Sequence, residues 1–235
     1  MKPPSAKPLF RAIRAKPKLP EGQARLMDMP EALAPAAARR DMDFYPTGQP
    51  EAIRALMAAE WPRIEALGAV WEPAVGDGAL AREMAGAGLQ VVGSDVEDRG
   101  WPGTFFLDFM RVPVSPAAAI ITNPPYSEIN ARDGHGRWLR HTLGMPGWRY
   151  CALLLSWDWP AARANGLGQL LDEHPFTRCY LMRWKLDFTG EGSPPQRNAW
   201  FVWDRDDVRS SDPAQRNHPD FCWLDRRDNR QRRLL

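Results

Sequence analysis

Cysteine is scarce in this 235-residue chain: Cys151, Cys179 and Cys222 are widely spaced and odd in number. They form no Cys-x-x-Cys pair, which argues against a disulfide framework and makes a reducing cytoplasm the expected setting. No apolar run reaches the roughly 18 residues that a membrane-spanning helix needs. The first residues carry Lys2 and Lys7 but no apolar stretch, so no secretory signal is expected. No Gly-x-x-x-x-Gly-Lys-Ser/Thr loop occurs, which argues against ATP hydrolysis. No His, Cys and Asp residues fall at metal-ligand spacing, so no metal is expected. What the chain does have is 44% hydrophobic residues, too many for a disordered polymer and enough for one sizeable domain. It also has 23 prolines and 11 tryptophans, both high for this length.

The net charge of +2 conceals an uneven distribution. Residues 1–40 hold nine Lys/Arg against three Asp/Glu and are rich in Pro and Ala, which predicts a flexible basic arm able to hold polyanions loosely. A plain solubilising tail is the equal alternative. Residues 41–203 are net acidic and carry the regular patterns. Residues 204–235 form a charged tail ending in Arg226, Arg227, Arg230, Arg232 and Arg233, and Trp223 suggests that part of it docks on the body.

Between residues 41 and 203, strand and helix signals alternate. Helical spacing runs over 50–67, with Ile53, Leu56, Met57, Trp61 and Ile64 on one face. Strands are expected at 69–74, 89–93, 104–107, 117–122, 150–157, 177–185 and 199–203. Helices are expected at 79–87 and 161–171, and a polar, glycine-rich, basic stretch at 127–149. This predicts an α/β fold: one seven-stranded, mostly parallel sheet with helices on both faces and the last strands antiparallel. In such sheets ligands bind outside the carboxyl ends of the strands. The polar signals fall there: glycines after the first strand, Asp95 after the second, Asp108 after the third, and Asn123-Pro124-Pro125-Tyr126 after the fourth.

Gly76-Asp-Gly78-Ala-Leu-Ala81 fits a dinucleotide-type glycine turn, and Asp95 follows at the distance of a ribose-binding acid. The same geometry suits any adenosine ligand. Glu72 ahead of Pro73 puts a carboxylate beside that ligand, which disfavours a pyrophosphate and suits a cation. Hydride transfer has no need of Asn-Pro-Pro-Tyr.

From Asp43 to Trp203 the chain resembles the S-adenosylmethionine-dependent amino-methyltransferases of DNA, in particular small phage-type adenine N6 enzymes. The resemblance implies a Rossmann-like class I methyltransferase fold and S-adenosylmethionine as cofactor. It makes Glu72-Pro73-Ala74-Val-Gly76-Asp-Gly78 the cofactor loop, Asp95 the ribose acid, and Asp108 with Phe109 the adenine side. Tyr45-Pro46-Thr47 would cover the methionine end. Asn123, Pro124, Pro125 and Tyr126 would be the catalytic tetrapeptide, and Phe188 would contact a flipped base. Val75 stands where many relatives have a small or thiol side chain. Only 127–149 and the tail are left for a separate target-recognition element.

The tetrapeptide suits the chemistry that the resemblance implies. An exocyclic amine is a poor nucleophile because its lone pair is conjugated into the ring. Acceptors at the Asn123 side-chain oxygen and the Pro124 carbonyl would favour a pyramidal nitrogen, two prolines would stiffen the support, and Tyr126 would stack on the base. The base must leave the duplex to arrive there. Arg132, Arg137, Arg140 and Arg149, following the catalytic strand, suit phosphate contacts. The expected function is methylation of adenine N6 in DNA. RNA or a protein glutamine is the alternative acceptor, and an inactive nucleic-acid-binding module the third reading.

Overall fold

The computed structural model describes residues 46–129, 136–161, 164–188, 192, 196–208, 212 and 218–226. Tyr45, Arg132, the basic N-terminal segment and the arginines from Arg227 onward lie outside the described residues. Helix α1 (Glu51–Leu67) starts behind Pro50 with Glu51 at its positive end, and stops at Gly68 with φ 78°. It leads into β1 (Ala69–Glu72), α2 (Ala79–Gly86), β2 (Gln90–Asp95), β3 (Phe105–Phe106) and β4 (Ala119–Thr122). Then come α3 (Tyr126–Ile129), α4 (Arg137–Gly144), β5 (Tyr150–Ser156), α5 (Leu167–Glu173), β6 (Arg178–Met182), β7 (Asn198–Asp204) and β8 (Asp220–Leu224).

The strands form one sheet in the order β3-β2-β1-β4-β5-β7-β6-β8. Strands β3, β2, β1, β4 and β5 pair in parallel, β7 runs antiparallel between β5 and β6, and β8 is parallel to β6. The α/β class, the mostly parallel sheet and the late antiparallel pairing agree with the sequence reading. The count does not: there are eight strands rather than seven. The extra one, β8, comes from the charged tail, where alternation of Phe221 and Trp223 with Cys222 is the only strand signal.

Two further expectations change. The stretch 127–149 contains α4, whose Trp138, Leu139, Thr142 and Leu143 are buried. Those residues recur at one helical face, a pattern hidden among flanking glycines and arginines. The expected helix at 161–171 begins only at Leu167, after two 3₁₀ turns, because Asn165 at φ 53° and Gly166 at φ 76° interrupt it.

The sheet has a core on each face. One packs Trp71, Phe109, Ile120, Trp138, Leu139, Leu153, Leu167 and Phe201 under α4 and α5. The other packs Ile53, Leu56, Ile64, Val70, Leu80, Ile121, Leu154 and Trp200 under α1 and α2. Trp200 and Trp203 are buried, whereas Trp157 is about half exposed. Cys151, Cys179 and Cys222 are not joined in disulfides, and burial pushes the Cys179 thiol up to about 12. No described helix is long and apolar enough to cross a membrane.

Candidate active site

Strand order reverses between β1 and β4, since β2 lies on one side of β1 and β4 on the other. A crevice opens outside the carboxyl ends at such a point. Adjacent strands lie about 4.8 Å apart, so Asp95 at the end of β2, Glu72 at the end of β1 and Asn123 just past β4 occupy three consecutive strand ends.

Beside β1 the chain turns sharply. Gly76 adopts φ 54°, and its N–H donates to the Asp95 Oδ2 at 2.9 Å. The second Asp95 oxygen accepts from the Glu97 N–H at 3.1 Å. Asp95 thus clamps the glycine turn against its own strand and retains lone pairs for a ligand, because an ionised carboxylate offers about four acceptor sites. Gly78, at φ 82°, makes room for a side chain, since a Cβ there would lie 2.1 Å from Cε3 of Trp101. A Cβ at Gly93, inside β2, would lie 3.0 Å from the same indole. The space beside Gly78 therefore holds Trp101 and is not a ligand's approach path. Trp101 was missed in the sequence; a glycine in a strand interior, here Gly93, is the signal that something packs closely there.

Glu72 is almost fully buried, and its Oε2 has no hydrogen-bond partner among the described residues. Burial, then the carboxylates of Asp77 and Asp95, push its carboxyl well above the usual range, while the Ala81 N–H and Arg82 pull the other way. Three carboxyl groups around one turn make a pocket that disfavours further anions and favours a cation. Pro73 is buried and Ala74 half-buried in the same turn. Asp108 is exposed and accepts from the Met110 N–H at 3.0 Å, capping the 3₁₀ turn Phe109–Arg111. Phe109 turns inward, stacked on Trp138 with centroids 4.1 Å apart and tilted against Trp71.

The upstream segment meets the tetrapeptide directly. The Asn123 amide nitrogen donates to the buried Thr47 Oγ1 at 3.1 Å, which fixes the amide's orientation. Two residues on, the Gln49 side-chain oxygen accepts from the Asp187 N–H at 2.8 Å, next to Phe188. Residues 46–49 thus tie the tetrapeptide to the late segment that contains Phe188, which packs partly buried against the α1-side core. Tyr126 opens α3, with its hydroxyl held by the Asn198 amide at 3.1 Å. Burial pushes the Tyr126 phenol up, so it stays neutral. Gln49 was also missed in the sequence, and the tie between Asn198 and Tyr126 could be revealed only by cross-strand register.

The arginines do not gather as one group. Arg137 pairs with Glu128 at 2.7 Å, close behind Tyr126. Arg140 donates to the Asn165 carbonyl at 2.9 Å. Arg149 lies at the other edge of the sheet. Its N–H bonds the Ala118 carbonyl before β4 begins, and its guanidinium pairs with Asp206 at 2.7 Å. The sequence distance from Asn123 suggested a neighbour, but β5 starts at the edge where β4 starts.

No protein-family model matches the sequence, and no curated protein does. Solved structures do match. One is a putative class I S-adenosylmethionine-dependent methyltransferase from Listeria monocytogenes, 12% identical, with a TM-score of 0.52 over 74% of this chain and 65% of that one. Another is a modification subunit of a putative type I restriction enzyme from Vibrio vulnificus YJ016, 12% identical, with a TM-score of 0.51 over 79% of this chain and 48% of that one. The chain thus matches about two thirds of the first and about half of the second. At such identity the likeness is one of fold: a Rossmann-like sheet of the class I methyltransferase kind.

Proposed function

We propose that this chain transfers a methyl group from S-adenosylmethionine to the N6 amine of adenine in DNA. The observation that carries the reading is the reversal of strand order, which sets an acidic glycine turn and Asn123-Pro-Pro-Tyr126 on neighbouring strand ends. The fold shared with a class I methyltransferase and with a restriction-enzyme modification subunit supports it.

The residues present fit the cofactor. Its positive charge matches the carboxyl cluster of Glu72, Asp77 and Asp95, and the unpartnered Glu72 Oε2 is a buried acceptor waiting for a donor. Asp95 would bind the ribose hydroxyls, Asp108 the adenine amine, and Tyr45, Pro46 and Thr47 the methionine end. Bound there, the sulfonium supplies an electrophilic methyl group.

The rest is the work of this chain's own residues. Thr47 holds the Asn123 amide, so that its oxygen and the Pro124 carbonyl accept the two amine hydrogens of the target. That draws the nitrogen toward a pyramidal form with a freer lone pair. Pro124 and Pro125 keep both acceptors in place, and Tyr126 and Phe188 offer flat faces to a base taken out of its stack. Methyl transfer then depends on in-line positioning, and the surplus amine proton passes to solvent afterwards. Arg137, Arg140 and Arg132 would contact phosphates, while Arg149 is too far from the crevice to take part.

The test is a transfer assay with labelled S-adenosylmethionine offered unmethylated duplex DNA, single-stranded DNA, RNA and a protein extract, with the modified unit identified by mass. N6-methyladenine in DNA is expected. Label confined to RNA or protein would keep the crevice and overturn the acceptor. Cofactor binding without label anywhere would point to an inactive binding module.

A further inference from the structure

The residue that holds Tyr126 has no role yet in the proposed transfer. Asn198 is the first residue of β7 and is fully buried. Its amide nitrogen lies 3.1 Å from the Tyr126 hydroxyl and 3.4 Å from the Leu155 carbonyl. Its Oδ1 has no partner among the described residues. A buried amide that serves only to fill a core is expected to satisfy its oxygen. This one keeps an unpaired acceptor and spends both nitrogen contacts on fixing its own plane, through Leu155, and the phenol.

Register explains the reach. Thr122 pairs with Leu153, and Ser156, three residues further along β5, pairs with Asn198. Asn198 therefore stands level with the tetrapeptide although two strands away. Tyr126 crosses the carboxyl end of β5 to meet it, and the ring is anchored at both ends, by the backbone of α3 and by its hydroxyl.

We propose that Asn198 is a positioning residue that sets the attitude of the Tyr126 ring for stacking on the target base. The inference rests on the methyltransferase reading and deepens it. An aromatic face favours an offset stack at a defined tilt, and a ring free to swing about its χ angles meets a flipped base in many orientations, few of them in line for transfer. Asn198 touches neither base nor cofactor; it acts through the tyrosine.

The test is a double-mutant cycle with Tyr126→Phe and Asn198→Ala, reading kcat, KM for the nucleic acid, cofactor Kd and Tm. Tyr126→Phe keeps the stacking face and loses the tether. Each single variant is expected to lower kcat about 10-fold with cofactor Kd unchanged, and the double variant to fall no further than the worse single one. Asn198→Asp, which can accept a hydrogen bond from the tyrosine hydroxyl, is expected to recover part of kcat when Tyr126 is intact and none when it is combined with Tyr126→Phe. Should Asn198→Ala fold poorly, that Asp comparison carries the test. Additive losses, or a loss confined to Tm and cofactor Kd, would overturn the positioning role while leaving the methyltransferase reading standing. A wild-type chain that binds cofactor but methylates no acceptor would overturn both.

Discussion

The two edges of the sheet differ in how closely their buried polar groups are partnered. At the amino edge the charges are closely partnered. Arg178, at the start of β6, bonds Glu60 at 2.7 and 3.1 Å, Asp204 at 3.0 Å and Asp207 at 2.9 Å. Arg63 grips Asp204 with two bonds at 3.0 and 2.7 Å and also reaches Asp206, which Arg149 pairs from the other side. The Tyr180 hydroxyl donates to Glu60. Arg205 lies 3.6 Å from the Trp148 ring centroid and donates to carbonyls at the end of α4, among them that of Leu143 at 2.8 Å. At the carboxyl edge, Glu72, Thr122 and Asn198 each bury an oxygen that nothing described satisfies, against the Tyr150 hydroxyl at the amino edge. A buried unpaired acceptor costs about 1–3 kcal/mol, and a ligand or water bound along this edge would offset that cost. Charges at the amino edge pair with one another; on the reading proposed above, those at the carboxyl edge serve a ligand.

The largest effect should come from breaking the ion-paired edge. Arg178→Met removes the guanidinium paired with buried Glu60 and one of those on Asp204, and should cost about 3–5 kcal/mol of stability, read by chemical denaturation. The surviving folded protein should transfer methyl at the wild-type rate. At the carboxyl edge, Asn123→Ala should lower kcat about 100-fold or more by removing a transition-state acceptor, with cofactor binding and Tm close to wild type. Loss of cofactor binding in parallel would remove Asn123 from the acceptor role.

Glu72 sharpens the contrast through pH. Its native carboxyl titrates above its unfolded value, so its stabilising contribution is full below about pH 4 and is lost as pH rises through the raised native value. Stability without cofactor should fall over that interval, and Glu72→Gln should flatten the curve. A bound cation favours the carboxylate, so cofactor affinity should rise over the same interval in wild type and not in Glu72→Gln, as calorimetry across a pH series would show. The smallest effect is expected from Arg137→Ala, an exposed cation held by Glu128. It should weaken nucleic-acid binding a few-fold and lower the salt slope by about one, leaving kcat alone.

How much of this could be read from the sequence follows from how local each feature is. The glycine turn, Asp95 and Asn123-Pro-Pro-Tyr126 are short strings at strand ends, so hydrophobic runs sufficed to place them on one edge. Trp101 beneath Gly78, Gln49 on the Asp187 N–H and Asn198 on Tyr126 depend on which strands are neighbours, and no short string encodes that. Arg149 shows the same limit in reverse. It follows the tetrapeptide closely in the chain, yet a parallel crossover returns it to the opposite edge. Strand β8 escaped because a charged tail masks its alternation, and α4 because glycines and arginines surround its apolar face.

The most direct test is a calorimetric titration of S-adenosylmethionine into wild type, Asp95→Ala and Arg178→Met, each at a matched folded fraction. Loss of the buried, doubly bonded Asp95 carboxylate should weaken binding about 10- to 100-fold. Arg178→Met should bind as wild type does. Equal binding by Asp95→Ala, or a loss in Arg178→Met alone, would contradict the division of the sheet into a structural edge and a ligand edge.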